Sequence, residues 1–205
     1  MATCWSSCRS SANDDACAVS TGKSTEETKL KLGYVTLQGR GRIDLLLAEV
    51  VGRLEAHGVA MAGTVQTNVD RTDRPHCDMD LRLLPDGPVV RISVDRGAEA
   101  RGCRLDAGVL EQSALWVAEA LEKSELLVVN KFGKQEAEGK GLAGSIADAL
   151  ERDLPVLVGV NGLNLSAFIE FAGGMAQQLP PDAEQVAGWC LAACVNQAVL
   201  EGSIL

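Results

Sequence analysis

Four short apolar runs, Leu32–Leu37, Val59–Gln66, Glu125–Val129 and Pro155–Val160, are spaced along the chain with helix-period segments between them. That alternation limits the fold more than any other feature, because parallel strands need long crossover connections and helices supply them. Ile43–Ala56 carries Leu46, Val50 and Leu54 on one stripe, the spacing of an amphipathic helix. Asp106 can cap a helix over Ala107–Lys123. Further helices are expected over Leu142–Arg152, over Leu165–Met175 as far as Gly173-Gly174, and over Asp182–Leu200. One stretch breaks the alternation: Asp80–Leu84 and Val89–Val94 flank Pro85-Asp86-Gly87-Pro88, a turn signal that predicts a β-hairpin. The expected architecture is α/β, a mainly parallel sheet sandwiched by helices, with that hairpin inserted.

The 205 residues, 46% of them hydrophobic, suffice for one full core. Residues 1–28 are rich in Ser, Thr, Ala and charge without an apolar period, so a disordered tail is expected ahead of a single domain over 29–205. A formal charge of -9 argues against nucleic acid as a partner, and the few aromatic residues offer little for bases to stack on. No run approaches the roughly 20 apolar residues that span a bilayer. The polar N-terminus lacks the apolar stretch of a signal peptide, so a cytoplasmic location without membrane insertion is expected. Seven cysteines, an odd number without paired Cys-x-x-Cys spacing, read as reduced thiols and not as a metal site. The ligand types crowded at Asp70, Asp73, His76, Cys77, Asp78 and Asp80 match no metal spacing and read as a solvated loop.

A phosphate-binding loop of the form G-x-x-x-x-G-K-S/T uses glycines for close backbone approach, Lys for the outer phosphates and a hydroxyl for magnesium. After the first strand the chain reads Gln38-Gly39-Arg40-Gly41-Arg42-Ile43-Asp44. Arg42 stands in the Lys place and Ile43 in the hydroxyl place, so the cradle can persist while the magnesium ligand does not. An upstream Gly22-Lys23-Ser24-Thr25 has neither a strand before it nor a helix after it and reads as a decoy.

Asn130-Lys131-Phe132-Gly133-Lys134-Gln135-Glu136 follows Leu126-Leu127-Val128-Val129 directly and reads as a strand ending in a polar loop. The carboxyl ends of parallel strands are where ligands sit in such folds. Lys131 and Lys134 are candidate phosphate clamps, and Glu136 is a candidate to orient a water as general base. Arg104, in Gly102-Cys103-Arg104-Leu105-Asp106, leads into a helix N-terminus, where backbone donors favour an anion.

The order strand, glycine loop and helix, together with the Asn130–Glu136 segment, resembles the small P-loop nucleoside-triphosphatases that carry D-E-I-G-K-M-E there. Gly133, Lys134 and Glu136 match; Asn130 replaces the magnesium-binding Asp of that family and Lys131 its acidic neighbour. Residues from about Gly33 to Trp189 resemble more closely an uncharacterised bacterial family, domain of unknown function 2478, often associated with molybdenum or molybdate-transport genes. The matching stretches are Val65-Gln66, Gly102 to Asp106, Asn130 to Glu136 continuing to Gly139-Lys140-Gly141-Leu142, and Phe171-Ala172-Gly173-Gly174.

These resemblances imply a P-loop-like domain that binds a nucleotide (ATP or GTP) or an oxyanion such as molybdate. The expected contacts are Gly39, Arg40, Gly41, Arg42, Asn130, Lys131, Gly133 and Arg104, with Lys134 and Glu136 in catalytic roles if hydrolysis occurs. An accessory or regulatory protein is expected first, with slow or absent nucleoside-triphosphatase activity. The alternatives are an enzyme of molybdenum metabolism in which Asp44 or Asp70 supplies the metal ligand, and an interaction scaffold. A homo-oligomer or protein partner is compatible with each.

Overall fold

The computed structural model describes residues 31–72, 77–94 and 105–202. The expected tail, the Gly22–Thr25 decoy, Cys103, Arg104, Asp73 and His76 lie outside the described residues.

Strands β1 (Leu32–Thr36), β2 (Met61–Val69), β3 (Asp78–Leu84), β4 (Val89–Arg91), β5 (Leu126–Phe132), β6 (Val156–Val160) and β7 (Ala176–Gln178) form one sheet in the order β4-β3-β2-β5-β6-β1-β7. The ladders β2–β5, β5–β6, β6–β1 and β1–β7 are parallel, while β2–β3 and β3–β4 are antiparallel. The chain is thus a P-loop-like α/β fold carrying an antiparallel arm. The arm is larger than the hairpin read from the turn signal, since β2 itself pairs with β3 over seven positions from Gly63↔Leu84 to Val69↔Asp78.

Helices cover both faces, which is why β5 and β6 read as continuous apolar runs and not as alternating ones. The helices α1 (Arg42–Ala56) and α6 (Ala183–Gly202) lie on one face, where Leu47, Val50, Val51 and Leu54 pack with Val186 and Cys190 over Val35, Val128 and Leu157. On the other face α2 (Ala107–Leu121), α4 (Ala143–Glu151) and α5 (Leu165–Ala172) close over Leu127, Val129, Val156 and Val158. Each fully buried Leu, Val or Ile contributes about 1.5–3 kcal/mol, and the many on these two faces fix which way the strand ends point. Asp106 caps α2 as expected, accepting from the backbone N–H of Gly108 and Val109 at 3.0 and 3.2 Å.

Two sequence readings change. β5 does not end at Val129: it runs to Phe132, whose fully buried ring lies 5.2 Å from that of Phe168 and 5.1 Å from that of Phe171. Asn130 and Lys131 are therefore strand residues, and only Gly133 onward is loop, starting with the four-residue helix α3 (Lys134–Ala137). The short, polar strand β7, after Gly173-Gly174, extends the sheet past β1.

Candidate functional site

Asn130 stands where two ladders come apart. β2 pairs with β5 only from Met61↔Leu126 to Gly63↔Val128. Between β5 and β6 the register slips, with Val129 opposite Val158 but Phe132 opposite Val160. That is one extra residue on β5, the signature of a bulge, which re-aims side chains. The Asn130 side chain then bridges the gap: its Oδ1 accepts from the Gln66 backbone N–H at 2.9 Å, while its own backbone N–H points to Thr64 Oγ1 at 3.4 Å.

Its Nδ2 donates to Asp44 Oδ1 at 2.8 Å. Asp44 sits in the first turn of α1 and is only 2% exposed. Its other oxygen accepts from Lys131 Nζ at 3.0 Å and from Asn68 Nδ2, and Asn68 in turn accepts from Gln66 Nε2 at 2.8 Å. A buried carboxylate is stable only when paired and hydrogen-bonded, and here three donors from two strands meet one acidic side chain from the helix. Asn at position 130 suits this role because it donates to Asp44 and accepts from Gln66 at once; an Asp could only accept.

This network lies against the glycine loop. Gly39 and Gly41 adopt left-handed backbone with φ 103 and 73, which glycine takes without strain. A methyl group on Gly41 would come within 3.3 Å of Asn68 Nδ2, and one on Gly39 would meet the Arg42 side chain at 2.8 Å. The Arg42 stem thus folds back over the loop, and the space above it is partly taken by the protein's own polar side chains.

The fold class raises the question of magnesium, and these residues do not fit it. Magnesium takes a near-octahedral set of oxygen ligands. Ile43 offers none, Asn130 Oδ1 is committed to Gln66, and Asp44, the nearest carboxylate, already holds an ammonium and two amides. Asp70, the other candidate, is exposed at the end of β2. Among the described residues no group of three or more His, Cys, Asp or Glu is arranged to hold a metal ion.

Beside the network opens a cleft of about 720 Å³, within the range of small-molecule sites. Asn130, Lys131, Gly133, Lys134 and Glu136 line it, as does Arg40, whose Nη2 donates to Cys77 Sγ at 3.1 Å. Gly39, Gly41 and Arg42 do not line it. Sequence reasoning missed Thr64, Gln66, Asn161 and Asn164 as lining groups, along with the apolar wall of Met79, Leu81, Ile92, Leu105 and Leu110. The clue to the network was Asp44 itself, a charged residue at helical spacing among Leu47, Val50 and Val51 on a buried stripe.

Three cations approach the cleft. Lys131 is held by Asp44, while Lys134 is 82% exposed and 3.6 Å from Glu138. Glu136 is buried, and both of its oxygens are occupied: Oε2 accepts from the Gly133 N–H at 2.9 Å and Oε1 from the Leu142 N–H at 3.3 Å. It clasps the two ends of the 133–142 loop. Burial pushes its carboxyl above the ordinary value, against the opposing pull of the Gly133 and Leu142 N–H groups. The thiols on α6 resist ionisation by the same physics: burial raises Cys190, and Cys194 is pushed up to about 11.

Among known proteins, residues 32–189 match the family described as protein of unknown function DUF2478. The molybdenum import ATP-binding protein ModC 2 of Bradyrhizobium diazoefficiens is 33% identical over 150 residues. That match covers 72% of this chain but only 16% of the relative. The crystal structure of THEP1 from the hyperthermophile Aquifex aeolicus superposes with a TM-score of 0.53 at 13% identity, covering 75% of this chain and 90% of that one. This likeness is one of fold alone, a mostly parallel sheet with flanking helices of the P-loop-like kind. Among the described residues no helix is long and apolar enough to cross a membrane. The chain belongs to the DUF2478 family.

Proposed function

We propose that this domain binds a nucleotide or oxyanion in the cleft beside Lys131 as an accessory or regulatory protein, with nucleoside-triphosphate hydrolysis slow or absent. The observation that carries this reading is the Lys131 ammonium, pinned at the carboxyl end of a central strand by a buried carboxylate 3.0 Å away. It supplies a fixed positive charge where a magnesium ion would otherwise be anchored. Pre-positioned charge binds an anion without the entropy of ordering a free side chain. Lys134, Arg40 and the Asn161 and Asn164 amides add donors around it. Glu136 serves this site by holding the loop that carries Lys134.

The relative's name joins ATP binding to molybdenum import, and both remain candidate chemistries for the present chain. A thermal-shift series of the metal-free protein against ATP, GTP, molybdate, tungstate, sulfate and phosphate, each with and without magnesium, tests the reading. Stabilisation by an anion that persists without magnesium and weakens in Lys134→Ala is the expected result. Magnesium-dependent turnover abolished by Glu136→Gln would replace it with an enzymatic role. Indifference to all six anions would leave an interaction scaffold.

A further inference from the structure

The cleft has two unlike halves. One is cationic, around Lys131 and Lys134. The other is the apolar wall on the antiparallel arm, where Leu81, Ile92 and Leu110 are nearly fully buried and Met79 and Leu105 are half-buried. A tetrahedral oxyanion fills the space of only a few waters, each with a share of about 30 Å³, against a cleft of about 720 Å³. Such an ion would leave the half-buried Met79 and Leu105 facing water, and apolar surface gives it nothing.

At the seam between the halves sit Thr64 and Gln66, 1% and 5% exposed. Gln66 spends its side-chain N–H on Asn68 and its backbone N–H on Asn130. Among the described residues its Oε1 has no protein donor and the Thr64 hydroxyl proton no protein acceptor, and both residues line the cleft. Gln66 Oε1 is not among the buried atoms left without a partner, so it stays open to what enters the cleft. An acceptor and a donor side by side over an aliphatic wall match the polar edge of a flat heterocycle.

We propose that the ligand is a nucleoside phosphate bound without a metal, its base against Met79, Leu81, Ile92, Leu105 and Leu110 with its edge on Thr64 and Gln66, and its phosphates on Lys131 and Lys134. This deepens the anion-binding reading and rests on it. The base site lies on the arm side of the cleft, and the Lys131 ammonium, held in place by Asp44, is the cation beside the phosphates.

The test is titration calorimetry in EDTA with ATP, GTP and inorganic tripolyphosphate. At least one nucleotide should bind about tenfold or more tighter than tripolyphosphate, a difference of about 1.4 kcal/mol. Met79→Trp, which fills the apolar half from a half-buried strand position, should close that gap while leaving tripolyphosphate within about twofold. Lys131→Met should weaken all three. Leu105→Trp, at the other half-buried position of the wall and read beside the melting temperature of each variant, covers the case in which Met79→Trp folds poorly; it too should lower nucleotide affinity and spare tripolyphosphate. Tripolyphosphate binding as tightly as the nucleotides, or nucleotide affinity untouched in both arm variants, would overturn the base site and leave the anion site standing. Absence of binding by all three would overturn the base site, and the anion site with it if molybdate, tungstate, sulfate and phosphate also fail to stabilise the protein.

Discussion

Asn130 Nδ2 lies 2.8 Å from Asp44 Oδ1, joining the end of a central strand to the first turn of α1 through an amide that cannot ionise. In the resembling nucleoside-triphosphatases a carboxylate occupies the strand position, and here the acid has moved across to the helix. The polarity of the pair is reversed, so the two positions cannot both be acidic.

Asn130→Asp should therefore be costly. The new carboxylate can still accept from the Gln66 N–H, but it faces Asp44 at hydrogen-bond distance with both groups almost fully buried. Two such carboxylates cannot both ionise, and one is driven to hold its proton. We expect a loss of about 3 kcal/mol at pH 7 and, at about 2–4 °C per kcal/mol for a domain of this size, a melting temperature lower by roughly 6–12 °C. The coupled pair has a raised proton affinity in the folded state, so stability should recover as the pH falls toward about 5 and the two share one proton. Thermal unfolding from pH 5 to 8 measures this; a loss that does not change with pH would mean that the cost is steric.

Lys131 separates stability from binding. Lys131→Met leaves Asp44 with two neutral amides, and since the lysine is a third exposed, the cost should be about 1–2 kcal/mol and not the full penalty of a broken buried pair. Adding Asp44→Asn removes the stranded charge and should restore most of that loss. Anion affinity should stay low in the double variant because the cation is gone. Chemical denaturation and calorimetry on the single and double variants check the two halves independently; recovery of affinity together with stability would place the anion elsewhere.

Glu136 makes a pH prediction of definite sign. Burial raises its folded-state pKa above the ordinary carboxylate value, so between those two values the folded state binds more protons than the unfolded one. Stability contributed by this group is fully present below the unfolded value and is lost as the pH rises through the folded one. Glu136→Gln should flatten the stability–pH curve in that window. It also gives up one acceptor for the Gly133 and Leu142 N–H groups, lowering stability by about 1 kcal/mol in acid. Unchanged curvature in the variant would show that another group sets the slope.

Much of the fold could be read from the sequence because its cause is local: buried parallel strands are apolar without interruption, and α1 shows its stripe in Leu46, Val50 and Leu54. β7 escaped because three residues with two exposed glutamines carry no pattern, and it exists only because β1 offers a free edge. The end of β5 was misplaced for a related reason. Asn130 and Lys131 look like loop residues by polarity, yet both have partners supplied from distant parts of the chain, Asp44 and Gln66, which no window around residue 130 contains. The apolar wall was hidden too, since Leu81, Ile92 and Leu110 read equally well as core.

Gly159 ties the sheet to the site and gives the sharpest packing test. A Cβ there would come 2.3 Å from the Asn130 carbonyl oxygen, 2.7 Å from Ile43 Cγ2 and 2.8 Å from Leu47 Cδ1. Backbone stands on one side and the root of α1 on the other, so neither can yield without moving the Asn130–Asp44 pair. Gly159→Ala should cost about 2–3 kcal/mol as overpacking and weaken anion binding as well, because Lys131 moves with its neighbour. Gly144, in α4 with nothing within 4 Å of its would-be Cβ, is the control. There the same substitution should stabilise by about 0.5–1 kcal/mol through helix propensity and leave affinity alone. Melting temperatures and anion affinities of the two variants decide it. If Gly159→Ala proved as benign as Gly144→Ala, β6 would not be what holds Asn130 in place.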